Sequence, residues 1–526
     1  MGTPFVMSCA PMPCTDTRAV NAVREAPAVS GRWVLAATVL GSSMDYIDGT
    51  VVNVALPSIQ NSLAATGAQA QWVVESYTLF LASLLLTGGS LGDRFGLRRM
   101  FLCGVMIFAV ASLGCGLAHE VGQLLFARCL QGIGGALLVP NSLALLSKEY
   151  EGVDRARAIG TWSGFAAIMT ALGPVLGGWV VQYASWHWAF LLNVPVATAT
   201  VWITLTKIPS RDGDTSNTPL DLKGATLVTA GLGCVTYRLL EWSNGHPASR
   251  IAAAAGLIFL AMFILTEWRA RSPLMAPELF SNRIFTGANL LTFFLYGALF
   301  ATLFYLPLNL IQAQRYTPTE AGAAMLPMIL LMFFLSRWAG GLIQKWGARP
   351  SLIGGPLIAA FGYLLLARSG VGGSYWLNYF PAVLVLGLGM TISVAPLTTV
   401  VMTSVAGGRS GTAAGINNAV SQIAALLALA LTAPLFFAKF SGDLKKNLAS
   451  SDVPSQVVAQ VEAQQRHLGA IQTTDPQARA AVDEAFAGAF RLIALIAAGS
   501  AAAAGFTAMV TINEKQSQMT RTDLPQ

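Results

Sequence analysis

Asp45 and Asp48 lie inside an otherwise apolar stretch, and in a helix their i, i+3 spacing puts both on one face. A carboxylate held at mid-bilayer costs about 2.5 to 3.5 kcal/mol, so it needs a cationic partner, a proton or a water-filled cavity. Two so close resist carrying both charges at once, which is the property required of a group that takes up and releases a proton. Arg128, several residues inside another apolar run, is a strong base among apolar neighbours and should seek Asp48 or Asp45 across a bundle. Glu75, two residues before Tyr77, could face a cavity mouth or reach the interface by snorkelling. Arg238 and Glu241, three residues apart, need no more than a local ion pair, and Arg337 can snorkel.

Other chemistries find little to build on. His119, His187, His246 and His467 are isolated, and Cys103, Cys115, Cys129 and Cys234 show no CxxC or Cys/His ligand spacing, so neither a metal site nor a catalytic triad is expected. No GxxxxGK[ST] phosphate loop occurs, which points to transport driven by an ion gradient, with no cofactor, rather than by ATP.

The elements that must hold these residues follow from composition. The chain has 526 residues, 54% of them hydrophobic and 11% charged, with a mean hydropathy of +0.59. So few charges cannot cover a soluble protein of this size, and the natural solvent is lipid. A net charge of +7 might suggest nucleic acid, but Lys and Arg stand singly between apolar runs, so no nucleic-acid partner is expected. Segments of about 20 apolar residues mark fourteen spans, the thirteenth over 411–438 and the last over 488–511. Basic residues such as Arg94, Arg98, Arg99, Lys148, Arg155 and Arg157 gather on one side, while the short connections opposite hold only Arg250, Arg315 and Arg368; both termini are therefore expected in the cytoplasm.

The chain also repeats itself. Gly89, Leu91, Arg94, Gly96 and Arg98 recur at one offset as Gly340, Leu342, Lys345, Gly347 and Arg349, and Gly132, Gly134 and Pro140 echo in Gly387, Gly389 and Pro396. Two six-helix bundles follow, over 33–207 and 284–511, with two inserted helices within 208–283 and cytoplasmic tails at 1–32 and 512–526. The polar stretch 440–487 is expected as an outer loop, folded as a helical hairpin or disordered, with helix starts at Pro454 and at the Asp475, Pro476 pair. Gly173, Gly177 and Gly178, around Pro174, permit close helix packing and a bend, as an outer seal needs.

These residues resemble the major facilitator superfamily, specifically its fourteen-spanner drug:proton antiporters. The run from Asp48 to Pro57 is similar to that family's span-one signature, and Gly89 to Arg99 to its GxLxDRxGxRR loop. Arg128 to Gly132 resembles RxxQG, Gly173 to Gly178 the antiporter GPxxGG motif, and Trp186 to Pro195 the family's sixth span. Met169 stands where the antiporter motif often has Gly, and Gln344 replaces Asp in the repeated loop. The resemblance implies alternating access in a functional monomer of the cell membrane. It implies a cytoplasmic gating loop of Gly89, Asp93, Arg94, Gly96, Arg98 and Arg99, proton coupling at Asp48 and Arg128, and a bias toward antiport from Gly173, Pro174, Gly177 and Gly178. The expected partners are protons, lipid and an amphipathic small molecule. Export of one endogenous metabolite, proton symport and, further off, a membrane-embedded enzyme are the alternatives.

Overall fold

The computed structural model describes residues 28–150, 152–209, 221–241, 247–270, 273–275, 277–335, 347–405, 410–451, 453–465, 471 and 473–512. The long helices are α1 Ala28–Leu63, α2 Gly67–Phe95, α3 Leu97–Gly116, α4 Val121–Glu149, α5 Gly152–Tyr183 and α6 His187–Lys207. They continue as α7 Leu222–Leu240, α8 Pro247–Arg269, α9 Arg283–Gln312 and α10 Pro318–Leu335. The remainder are α11 Ala348–Ala367, α12 Phe380–Thr403, α13 Ser410–Ala449 and α14 Pro476–Thr511. Among the described residues, twelve are long and apolar enough to cross a membrane; α1 and α7 are outside the twelve. In α1 the reason is polar content, since Ser42, Ser43, Asp45, Asp48, Thr50 and Asn53 crowd its middle and all are buried.

Why the helices stop where they do is local chemistry. Thr66 and Gln69 close a capping box at the start of α2, and Thr317 with Glu320 does the same for α10. Gly96 ends α2 at a φ of 98°, and Gly347 precedes α11 at 80°, both in the region that favours glycine. These are matching positions of the sequence repeat, and the repeat extends into packing. On α4, Gly132 lies against the Tyr77 backbone of α2 and Gly134 against Phe108 of α3. On α12, Gly387 lies against Met328 of α10 and Gly389 against Ala359 of α11. Small residues at these crossings let backbones touch, which is how helices associate where lipid removes the hydrophobic drive. The first copy of the loop motif is described; Gly340, Leu342, Gln344 and Lys345 of the second, and Arg337, lie outside the described residues.

The two halves meet along two seams that the repeat relates to each other: α5 runs against α10, and α2 against α13. The inserted helix α7 packs on its partner α8 and also touches both α2 and α13, with Leu79, Val228, Leu232 and Leu426 forming a separate apolar cluster.

Within 440–487 the helix starts at Pro454 and at the Asp475, Pro476 pair lie where the sequence put them; the difference is that α13 runs on to Ala449, with a short helix Ser455–Ala463 before α14 begins at Pro476. The helices run on because their polar residues alternate with a buried stripe: Phe440, Leu444 and Leu448 on α13 pack with Ala478, Ala481, Val482 and Phe486 on α14. Asp475 caps α14 by accepting from the Ala478 N–H at 2.7 Å. Arg315, in the connection from α9 to α10, donates to both carboxylate oxygens of Asp483 at 2.6 Å.

Candidate functional site

Five helices bring Asp45, Asp48 and Arg128 of the first half into one network. Arg128 on α4 is 1% exposed, and its guanidinium donates to Asp48 on α1. It also donates to the Gln131 side-chain oxygen at 2.7 Å and, through Nε, to the backbone carbonyl of Val73 on α2 at 2.8 Å. The second oxygen of Asp48 accepts from the Gln131 amide at 2.8 Å and from Asn193 of α6 at 3.4 Å. Ser112 of α3 accepts from the same two amides, at 2.9 and 3.3 Å. The flat guanidinium lies over the Tyr77 ring, 4.3 Å from its centre, and the Tyr77 hydroxyl donates to Asp45.

The local sequence explains this convergence. The RxxQG spacing puts Arg128 and Gln131 on one face of α4, and Gly132 lets that helix approach α2 closely enough for Arg128 to reach Val73. Asp45 and Asp48 point from α1 toward α2 and α4. Removed from water, a carboxylate and a guanidinium are tolerable only when paired and hydrogen-bonded throughout, and here both oxygens of Asp48 are occupied. Adding a proton to Asp48 removes the charge that holds Arg128, so one chemical event alters contacts among α1, α2, α3, α4 and α6. Ser112 and Asn193 are members that sequence reasoning missed. Asn193 stood within the span-six motif, a signal that could have named it, whereas nothing marked Ser112.

Glu75 is not part of this network. Neither a cavity mouth nor the interface receives it: the side chain is 0% exposed, and neither carboxylate oxygen has a hydrogen-bond partner. Its helix face explains why, since Gln71 one turn earlier and Leu79 one turn later both meet the second half.

The glycine motif of α5 forms a seam. A Cβ on Gly173 would strike Thr50 of α1, and one on Gly177 would strike Val51. Gly178 leaves no room before the backbone of Pro318 on α10, and Gly322 of α10 none before the carbonyl of Pro174. Beside them Thr319 donates to Gln182 at 2.6 Å. The halves are therefore in backbone contact at the end of the bundle remote from the α2–α3 turn.

At that turn, Arg98 donates to the carbonyls of Thr204 at 3.1 Å and Leu205 at 3.3 Å, closing the last turn of α6. Asn141 of α4 donates to the Gly88 carbonyl at 3.0 Å, and Gly92 leaves the room its side chain needs. Gly89 lies against Pro140, while Asp93, Arg94 and Arg99 are exposed.

The chain is 33% identical over 445 residues to multidrug resistance protein Stp of Mycobacterium tuberculosis (strain CDC 1551 / Oshkosh), covering 82% of this chain and 80% of that one. It is 32% identical to the methylenomycin A resistance protein of Bacillus subtilis (strain 168), over 78% and 89% of the two chains. It is 31% identical to the tetracenomycin C resistance and export protein of Streptomyces glaucescens, over 80% and 78%. In fold it is similar to a bacterial homolog of the human lysosomal transporter Spinster, with a TM-score of 0.63 at 19% identity over 91% of this chain and 98% of that one. The family model described as Major Facilitator Superfamily matches residues 38–429, and with relatives this similar over most of their length, the chain belongs to that superfamily.

Proposed function

We propose that this chain is a proton-coupled antiporter that exports amphipathic organic compounds or drugs across the cell membrane by alternating access. In this reading it works as a monomer with fourteen spans and both termini in the cytoplasm. The observation that carries it is the buried Asp48–Arg128 pair, held by amides from α4 and α6. A proton on Asp48 frees Arg128, and the contacts of α1 with α4 then change in step with the cavity between the halves. Asp45, tied to Tyr77, is the second acid of the same face and takes part in the exchange. Asp93, Arg94, Arg98 and Arg99 serve the cytoplasmic gate, and Gly173, Pro174, Gly177 and Gly178 the outer one.

Relatives named for multidrug, methylenomycin A and tetracenomycin C resistance support an organic cargo. One charge moved across 100 mV is worth about 2.3 kcal/mol, nearly fifty-fold in concentration, so one proton per cycle suffices for useful export.

The test is uptake of fluorescent cationic and neutral compounds into inverted vesicles, with and without an imposed proton gradient. Gradient-dependent uptake by the wild type and its loss in Asp48→Asn are expected. A well-expressed Asp48→Asn protein that still accumulates compound with unchanged pH dependence removes the proposal.

A further inference from the structure

Among the described residues, Glu75 is the one buried acid of the first half that the coupling network does not use. It sits on the face of α2 that closes against the second half. One turn away, Leu79 packs with Leu426 of α13; one turn the other way, Gln71 borders a small cavity with Gln60, Tyr305 and Phe436. Tyr305 of α9, which lines that cavity, accepts from the Thr432 hydroxyl of α13 at 3.5 Å. The side chain is fully enclosed, and both of its oxygens lack a hydrogen-bond partner.

The charged groups of α1 and α4 that face α2 are engaged elsewhere. Asp45 and Asp48 of α1 are bound to Tyr77 and Arg128. Arg128 of α4 donates to Asp48, Gln131 and the Val73 carbonyl. An ionised carboxylate with no cation and no donor does not belong in such a place, whereas a neutral carboxylic acid does. The repeat sharpens the point. At the offset that relates the loop motifs, the counterpart of Glu75 on α10 is Leu326, so the α5–α10 seam is closed by glycines and the α2–α13 seam by an acid.

We propose that Glu75 is a proton-operated latch of the α2–α13 seam: the halves close at this end when it carries a proton and are driven apart when it is ionised. Orientation alone rests on the export reading, which places this end outside. The latch proton returns to the side it came from, because the group is enclosed whenever the seam is shut. Glu75 therefore makes closure respond to external pH without adding to the protons moved per cycle.

The experiment measures the seam itself. Spin labels on non-natural amino acids replace the exposed Ser62, in the last turn of α1, and the exposed Ala438 of α13, in the full chain in lipid nanodiscs, and their distance distribution is recorded between about pH 6 and about pH 9. In the wild type the ratio of open to closed distances should rise with pH, by up to about tenfold per pH unit while the latch titrates. Glu75→Gln, which keeps the shape of the neutral acid, should stay closed throughout, as should Glu75→Leu. Asp48→Asn should keep the wild-type response even where proton-driven uptake is lost, so failure of the coupling assignment and failure of the latch are told apart. A wild-type response in Glu75→Gln, or its disappearance in Asp48→Asn, overturns the proposal.

Discussion

Arg128 meets Asp48 where neither side chain touches water, the two being 1% and 0% exposed. The pair is not a closed unit, because Gln131 bonds to both partners, accepting from the guanidinium at 2.7 Å and donating to the carboxylate at 2.8 Å. Gln131 can thus keep hold of one group while the other changes charge, which an isolated ion pair cannot offer.

Removing one partner of such a pair leaves an uncompensated charge. Arg128→Ala is expected to destabilise the protein by about 3 to 5 kcal/mol. Asp48→Asn also leaves the guanidinium without its counter-charge, but it keeps the side-chain volume and the contact from Gln131, so its cost should fall below that of Arg128→Ala. Thermal unfolding of the purified proteins in detergent compares the two; an Arg128→Ala midpoint equal to the wild type would contradict the burial of the pair.

At the α5–α10 seam, Gly178→Val and Gly322→Val place methyl groups into backbone. Both proteins should remain folded, since the halves can stay apart at that end, while transport falls at least about tenfold because close approach there needs small residues. Gly177→Ala meets mainly the Val51 side chain and should be milder. Size-exclusion profiles together with vesicle uptake separate misfolding from a jammed seam.

The linker glycines make a matched pair of predictions. Gly96→Ala and Gly347→Ala force a side chain into the backbone conformation at φ 98° and 80°, at a cost of about 1 to 3 kcal/mol each. Arg98→Ala removes the contacts to the end of α6 and should loosen that helix end, read as faster amide exchange at Thr204 to Lys207.

Arg315 holds Asp483 while standing at a φ of 63°. With Arg315 45% exposed, a double-mutant cycle with Asp483→Asn should give a coupling of about 1 kcal/mol or less, shrinking as salt is raised. Arg315→Gly should be more stable than Arg315→Ala, because only glycine adopts that backbone without strain. Chemical unfolding of the wild type, Arg315→Ala, Asp483→Asn, their double variant and Arg315→Gly checks both statements.

Much of the bundle was legible in the chain, and the parts that were not share a cause. Apolar length located the helices, and the offset between Gly96 and Gly347 located the halves, because both are local or periodic signals. The pairing of Arg128 with Asp48 could be anticipated since few partners exist for a buried cation. What the sequence could not supply was the rotation of one helix against another. That rotation decides that Ser112 and Asn193 join the Asp48 carboxylate, that Tyr77 serves Asp45, and that Glu75 is enclosed rather than snorkelling. The length of α13 was missed for another reason: Lys439, Asp443, Lys445 and Lys446 read as loop, although Phe440, Leu444 and Leu448 keep a four-residue period through them.

The inserted helix α7 rests on both halves through Leu79, Val228, Leu232 and Leu426, with no hydrogen bond in that cluster. Apolar side chains slide past one another at little cost, while directional bonds must break before anything moves. Such a contact behaves as a greased bearing: α7 can stay pressed against α2 and α13 as they shift, and acyl chains are kept from wedging into the gap that rocking opens between them.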